Sequence, residues 1–118
     1  MLRLNHKVPH VCWIDAAKPF QLPPREWVIS IEVGEHIDKA FEQTFIDNLV
    51  GAASKGVIVS WAVVGQGGHG HINTQNNPYI IEQFKKRGLR YDKEQTDIFR
   101  NTVVQNTWLK YTLMLFLK

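Results

Sequence analysis

Cysteine is nearly absent from this chain: Cys12 is the only one in 118 residues. That excludes an intramolecular disulfide and argues against a structural zinc site, which needs several thiolates or a denser cluster of histidines. No apolar run is long enough to cross a bilayer. Met1 to His10 lacks the apolar core of a secretory signal, so a cytoplasmic or nuclear location is the expectation. Charge of one sign is also lacking. Fourteen Lys and Arg against 11 Asp and Glu leave a formal charge of +3, too mild to point to a polyanion by itself. The one basic cluster, Lys85-Lys86-Arg87, falls at an expected helix end, where cations suit the helix dipole; a nucleic-acid patch is the weaker reading. There is no G-x-S-x-G nucleophile elbow for a serine hydrolase, no internal repeat and no low-complexity segment.

What is present is ordinary globular material. With 44% hydrophobic and 21% charged residues, the chain has enough apolar matter for one domain with a modest core and too much for a disordered segment. Residues 1–10 read as an irregular lead-in to a single domain. Val11-Cys12-Trp13-Ile14 reads as a short strand ending at Asp15, and Lys18 to Pro24, with three prolines, as a loop. Trp27 to Val33 is the second expected strand. Asp38 caps a helix running to about Ser54, with Phe41, Phe45, Leu49 and Ala52 on its apolar face and Gly56 as a stop signal. Val57 to Val64 forms the third strand. A long polar loop from Gly65 to Asn76 follows, and then a helix opened by Asn77 and Pro78 and closed by Gly88. Leu89 to Tyr91 reads as a brief strand, Asp92 to Asn101 as a short helix, and Trp108 to Leu117 as a final strand. Strands alternating with helices define an α/β class with a mostly parallel sheet.

Two apolar runs end in polar residues, and those ends carry the chemistry. Ile29-Ser30-Ile31-Glu32-Val33-Gly34-Glu35-His36-Ile37 stops in two acids and a histidine. Val57 to Val64 empties into Gly65-Gln66-Gly67-Gly68-His69-Gly70-His71-Ile72-Asn73. In an open α/β sheet, ligands bind in the crevice at the carboxyl ends of the strands. Gly65 to Gly70 spells the dinucleotide fingerprint G-x-G-x-x-G, but its context fails, because six residues intervene between Gly70 and the helix start at Asn77 and Pro78. A flexible loop over a substrate fits better, with Gln66, His69, His71 and Asn73 as contacts; the plain alternative is a glycine-rich connector. Trp13, Trp27 and Trp61 read as core. Trp61, close to its strand's carboxyl end, is also a substrate-contact candidate.

At these residues the chain resembles the class I S-adenosylmethionine-dependent methyltransferases. Glu32-Val33-Gly34-Glu35-His36-Ile37 looks like the end of their fourth strand, and Ser60-Trp61-Ala62 through Asn73 like the fifth strand and its loop. The resemblance runs from about Val11 to Lys118 and covers only the second half of that fold. It implies a partial Rossmann-like sheet lacking the first two strands, with the last strand antiparallel. It implies S-adenosylmethionine as cofactor, with Asp15-Ala16 at the adenine and Glu32-Val33 at the methionine end. Glu35 and His36 would serve as base, as pocket wall or as metal ligands. Glu32, Glu35 and His36 resemble a motif with which some members hold Mg2+ or another divalent cation, and a histidine of the next loop, His71 or His69, would close such a site; a hard cation there would lower a substrate hydroxyl's pKa. The family's glycine-rich turn has no counterpart here. The expectation is therefore a fragment of a longer enzyme acting on an unidentified methyl acceptor, with a non-catalytic binding module as the alternative. Pairing with another chain to complete the sheet is a further expectation.

Overall fold

The computed structural model describes residues 11–102 and 108–118; the expected lead-in, residues 1–10, lies outside them. Strand β1 (Arg25–Ser30) is followed by two 3₁₀ turns (Gly34–His36 and Lys39–Phe41) and helix α1 (Glu42–Ala52). Strand β2 (Ala53–Val59), helix α2 (Asn77–Lys85), the short strand β3 (Arg90–Tyr91), helix α3 (Lys93–Thr102), the single turn α4 (Leu109–Thr112) and strand β4 (Met114–Leu117) complete the order. The sheet runs β1-β2-β4-β3. β1 and β2 are parallel, and β4 lies antiparallel to both β2 and β3. Three strands thus point one way and the final strand the other, as expected for a partial sheet of this α/β class.

One face of the sheet is well covered. Phe45, Ile46 and Leu49 of α1 and Ile80 and Phe84 of α2 pack with Val57, Val59, Met114 and Phe116 into the main core. Phe84 stacks on Phe116 with ring centroids 4.4 Å apart. The helix ends follow their sequence signals. The Asp38 carboxylate accepts the Ala40 N–H and starts the turn leading into α1. Pro78 sits in the first turn of α2, and Gly88 takes a left-handed φ of 86° just past that helix, where glycine alone is comfortable. Among the described residues, no helix is long and apolar enough to cross a membrane.

Several expectations need correction. Val11–Ile14 is not a strand: it is irregular, and Val11 and Trp13 are exposed. Among the described residues no neighbouring strand supplies it with ladder hydrogen bonds, without which an extended segment gains nothing from strand geometry. Trp13 and Trp27 are not core residues, at 102% and 38% exposure. Phe41 is half exposed, because it precedes the first full turn of α1. Trp108–Thr112 forms a helical turn, with the Thr112 hydroxyl donating to the Trp108 carbonyl, so only Met114–Leu117 is strand. Gly56 stops nothing. It lies within β2, opposite Trp27 and Leu117, where a Cβ would stand 2.5 Å from Cζ3 of the Trp27 ring and press on the Phe116 carbonyl.

Gly56→Ala should therefore lower stability by roughly 1–3 kcal/mol through overpacking, read as a lower denaturant midpoint with an unchanged slope.

Candidate functional site

Because β1 and β2 are parallel, their carboxyl ends share one edge of the sheet. The Ser60 N–H still reaches the Ser30 carbonyl at 3.0 Å, and beyond that point the two chains leave the sheet. At Glu32 the backbone takes a left-handed φ of 54°, uncommon for a residue with a side chain and costing on the order of 1 kcal/mol. Ser60 holds it there. The Ser60 hydroxyl accepts the Glu32 N–H at 2.9 Å and donates to Glu32 Oε2 at 2.8 Å. The Gln66 amide donates to Glu32 Oε1 at 3.3 Å. This pinned, half-buried carboxylate ends β1 and joins the two strand ends through side chains.

The next residues tie the following loop down. Glu35 is fully buried. Its Oε1 accepts the Ala62 N–H at 2.8 Å, and its carbonyl accepts the N–H groups of Ile72 and Asn73 at 3.0 and 2.9 Å. Its other carboxylate oxygen, Oε2, has no partner among the described residues. Desolvation by this burial pushes the Glu35 carboxyl above its ordinary 4.5, against the pull of its backbone hydrogen bonds. Trp61 is wholly buried and donates from Nε1 to the Asn73 carbonyl at 2.7 Å. Gly34 lies against the Trp61 ring, so close that a Cβ would overlap it.

A second buried acid completes the fastening. Glu42, at the start of α1, is fully buried. It accepts from Asn73 Nδ2 at 3.0 Å, from Lys39 Nζ at 3.0 Å and from the Tyr79 hydroxyl. Burial alone would raise its pKa, but these three donors together hold it below 4.5.

The histidines occupy the outer side. The His36 Nδ1 lies 2.8 Å from the Gly70 carbonyl. A carbonyl can only accept, so Nδ1 carries the proton and Nε2 is left as the ring's free acceptor. The His36 and His71 rings meet edge to face at 4.9 Å. His71 is half-buried and His69 exposed.

The sequence-predicted residues thus divide. Glu32, Gln66, His36 and His71 join in or border one arrangement at the carboxyl edge, and Val33 stays partly exposed beside it. Trp61 is a core residue, the first of its two readings, Asn73 fastens the loop, and Glu35, expected as a catalytic group, is buried. The Gly65–Asn76 loop is a fastened element rather than a flexible cover, held also by the Gln75 N–H on the Ala62 carbonyl. Asp15 lies in an exposed turn, its Oδ1 accepting the Ala17 N–H at 3.0 Å. Among the described residues no three His, Cys, Asp or Glu side chains come together in a way that could hold a metal. Glu35 is turned onto Ala62 and Glu32 onto Ser60, so these residues do not fit a cation.

Three residues that sequence reasoning missed hold the arrangement: Ser60, Glu42 and Asn48. Asn48, buried on α1, donates to the Ala16 and Lys18 carbonyls at 3.2 and 2.8 Å and accepts the Phe20 N–H at 3.3 Å. The available signal was an acid and an amide at Glu42 and Asn48 bordering the apolar stripe of Phe45 and Leu49, where nothing in the pattern called for polarity.

No family model matches the chain, and no curated protein matches it in sequence. Solved structures do match in fold. Magnesium protoporphyrin IX methyltransferase (ChlM) from Synechocystis PCC 6803 with bound SAH superposes with a TM-score of 0.63 at 15% identity, over 89% of this chain and 49% of that one. LepI in complex with SAM gives 0.57 at 10% identity, over 96% of this chain and 32% of that one. A structure described as a pericyclic reaction enzyme gives 0.56 at 10% identity, over 89% and 29%. The chain thus spans half or less of the length of these proteins. At such identities the likeness is one of fold: over most of its length the chain has the class I S-adenosylmethionine-dependent methyltransferase fold, in part.

The two buried acids carry opposite pH signatures. Glu35 has a raised folded pKa, so its ionisation opposes folding, and stability falls as pH rises from about 4.5 through the folded value. Glu35→Gln should remove that decline, gaining on the parent chain as pH rises towards neutrality. Glu42 has a lowered folded pKa, so its contribution is present above 4.5 and is lost as pH falls through the folded value. Glu42→Gln should cost roughly 1–3 kcal/mol at neutral pH, with the deficit shrinking in acid. Denaturant titrations of both variants across pH check the two signs.

Proposed function

We propose that this chain is the carboxyl-terminal half of a methyltransferase domain that uses S-adenosylmethionine to methylate an acceptor. The observation that carries the reading is Glu32. A strained, left-handed residue at the end of β1 is held there by Ser60 and Gln66, in a fold whose solved neighbours hold SAH or SAM. Backbone strain of this kind persists where the surroundings over-determine it, and it gathers at ligand sites.

The cofactor supplies an activated methyl group on sulfur, and the chain's residues bind and orient. Glu32, Val33, Asp15 and Ala16 are assigned to the cofactor; all four retain accessible surface. Glu32 and Val33 at the strand end would border the methionine portion, and the Asp15 carboxylate would accept the adenine amino group. Asn48 presents the Asp15 turn by gripping the carbonyls on either side of Ala17. Proton transfer is assigned to His36, whose Nδ1 lies 2.8 Å from the Gly70 carbonyl and whose Nε2 is then the ring nitrogen left to take a proton. A neutral imidazole in that tautomer can take a proton from an acceptor as the methyl arrives, while alignment of the two reactants supplies much of the rate. Glu35 is a positioning residue, fixing the turn that carries His36. His69 and Gln66 at the loop's outer side are the acceptor-side contacts.

A non-catalytic binding module is the second reading. It is favoured by the low identity, 15% and 10%, at which a shared fold does not bring the neighbours' chemistry with it.

The test is a calorimetric titration of S-adenosylhomocysteine into the 118-residue chain, with circular dichroism confirming the fold. Saturable binding, weakened about tenfold by Asp15→Ala through loss of one hydrogen bond to the adenine, supports the cofactor assignment. A folded chain that ignores the ligand supports the binding-module reading.

A further inference from the structure

The carboxyl edge of the sheet carries apolar surface that the fold leaves outside. β2 and β4 are antiparallel, with Val59 opposite Met114, so the residues after β2 and those before β4 rise from that edge side by side. Val64 stands in the first segment at 62% exposure, and Trp108 and Tyr111 stand in the second at 48% and 67%. Trp108 and Tyr111 are three residues apart on one helical turn, a spacing that makes them neighbours. Thr112 and Leu113, which follow, are buried.

Three large side chains are thus kept in water at the edge where open α/β sheets bind their ligands. Two adjacent asparagines at the start of α2 tie the segments together. The Asn76 Oδ1 accepts the Val64 N–H at 3.1 Å, and the Asn77 Nδ2 donates to the Tyr111 carbonyl at 2.6 Å. The Trp108 carbonyl accepts the Tyr111 N–H and the Thr112 hydroxyl, each at 3.0 Å. From α3, Arg100 Nε donates to the Leu113 carbonyl at 2.8 Å. Each of these bonds grips a backbone atom, so the side chains of Val64, Trp108 and Tyr111 are presented rather than used as fasteners. The cluster adjoins the candidate site, because Gln66, two residues after Val64, donates to Glu32. β4 lies on the far side of β2 from β1, so a sheet continued beyond β1 leaves the cluster where it is.

We infer that Val64, Trp108 and Tyr111 form the floor on which a planar aromatic acceptor lies. The inference rests on the methyl-transfer reading and names the class of its acceptor. Indole and phenol rings offer large, rigid faces to another flat ring, and such a contact gains affinity beyond simple area burial. A saturated acceptor of the same size would gain the burial alone.

Equilibrium dialysis of 2-naphthol, a planar phenol, against the full chain tests this, with decahydro-2-naphthol as the saturated alcohol of the same skeleton. Saturable binding of 2-naphthol is expected, with weaker binding of the saturated alcohol. Tyr111→Ala and Trp108→Leu should each weaken the binding of 2-naphthol roughly three- to tenfold. Both variants should keep the parent's circular dichroism, because the turn is held by backbone bonds. Trp13→Ala removes an exposed indole elsewhere and should leave the binding unchanged. No saturable binding, equal binding of the two alcohols, or binding that both floor variants leave intact overturns the inference. A parallel titration with S-adenosylhomocysteine keeps the two readings apart. A chain that takes S-adenosylhomocysteine and ignores 2-naphthol loses the aromatic acceptor alone. One that takes 2-naphthol on this floor and ignores S-adenosylhomocysteine loses the methyl-transfer reading, while the floor stands as a binding site for planar rings.

Discussion

The site depends on a requirement of backbone chemistry: once β1 and β2 leave the sheet, their buried N–H and C=O groups must find new partners. Glu35 takes up three of these N–H groups. Its carbonyl takes two N–H groups from the loop after β2, and its carboxylate takes a third from Ala62. One residue therefore ties the end of one strand to both the beginning and the far side of the loop that follows the other. The cost is a buried carboxyl oxygen without a partner among the described residues and a carboxyl whose ionisation is opposed. Glu42, a second interior acid, is well supplied with donors and secures the same loop at Asn73. The fully buried acids thus hold the frame, and the surface they leave at the strand ends belongs to Glu32, Val33 and His36.

Much of the fold was legible because local signals and tertiary packing agreed. The alternation of strands and helices, the polar endings of both parallel strands, the Pro78 helix start and the Gly88 stop all point the same way. What failed to show were features set by neighbours. Val11–Ile14 has strand composition, but a strand needs a partner, and propensity does not report whether one is present. Gly56 looked like a helix stop because glycine so often is one; its reason is the Trp27 ring and the Phe116 carbonyl, far apart in sequence. Trp108–Thr112 alternates like a strand yet closes a helical turn.

The candidate site was legible as a location and less so as a set of roles. Glu32, Gln66, His36 and His71 border the carboxyl edge that the sequence indicated. Glu35 and Asn73 were read as functional groups because acids and amides after a strand often are. Burial distinguishes the two cases, and burial here is decided by how the loop folds back over Glu35. Trp61 was ambiguous for the same reason: its indole N–H has a partner inside the protein, the Asn73 carbonyl, which no spacing rule would reveal.

The strand order has a consequence for how the molecule is assembled in time. β4, the latest strand in sequence, lies between β2 and β3, so β3 has no neighbour in the sheet until β4 arrives. On a ribosome, β1, α1 and β2 can dock as they emerge, whereas Arg90–Tyr91 must wait for Met114–Leu117. An interior strand is here the last of these four to be made, and loss of its four residues would split the sheet rather than trim its edge.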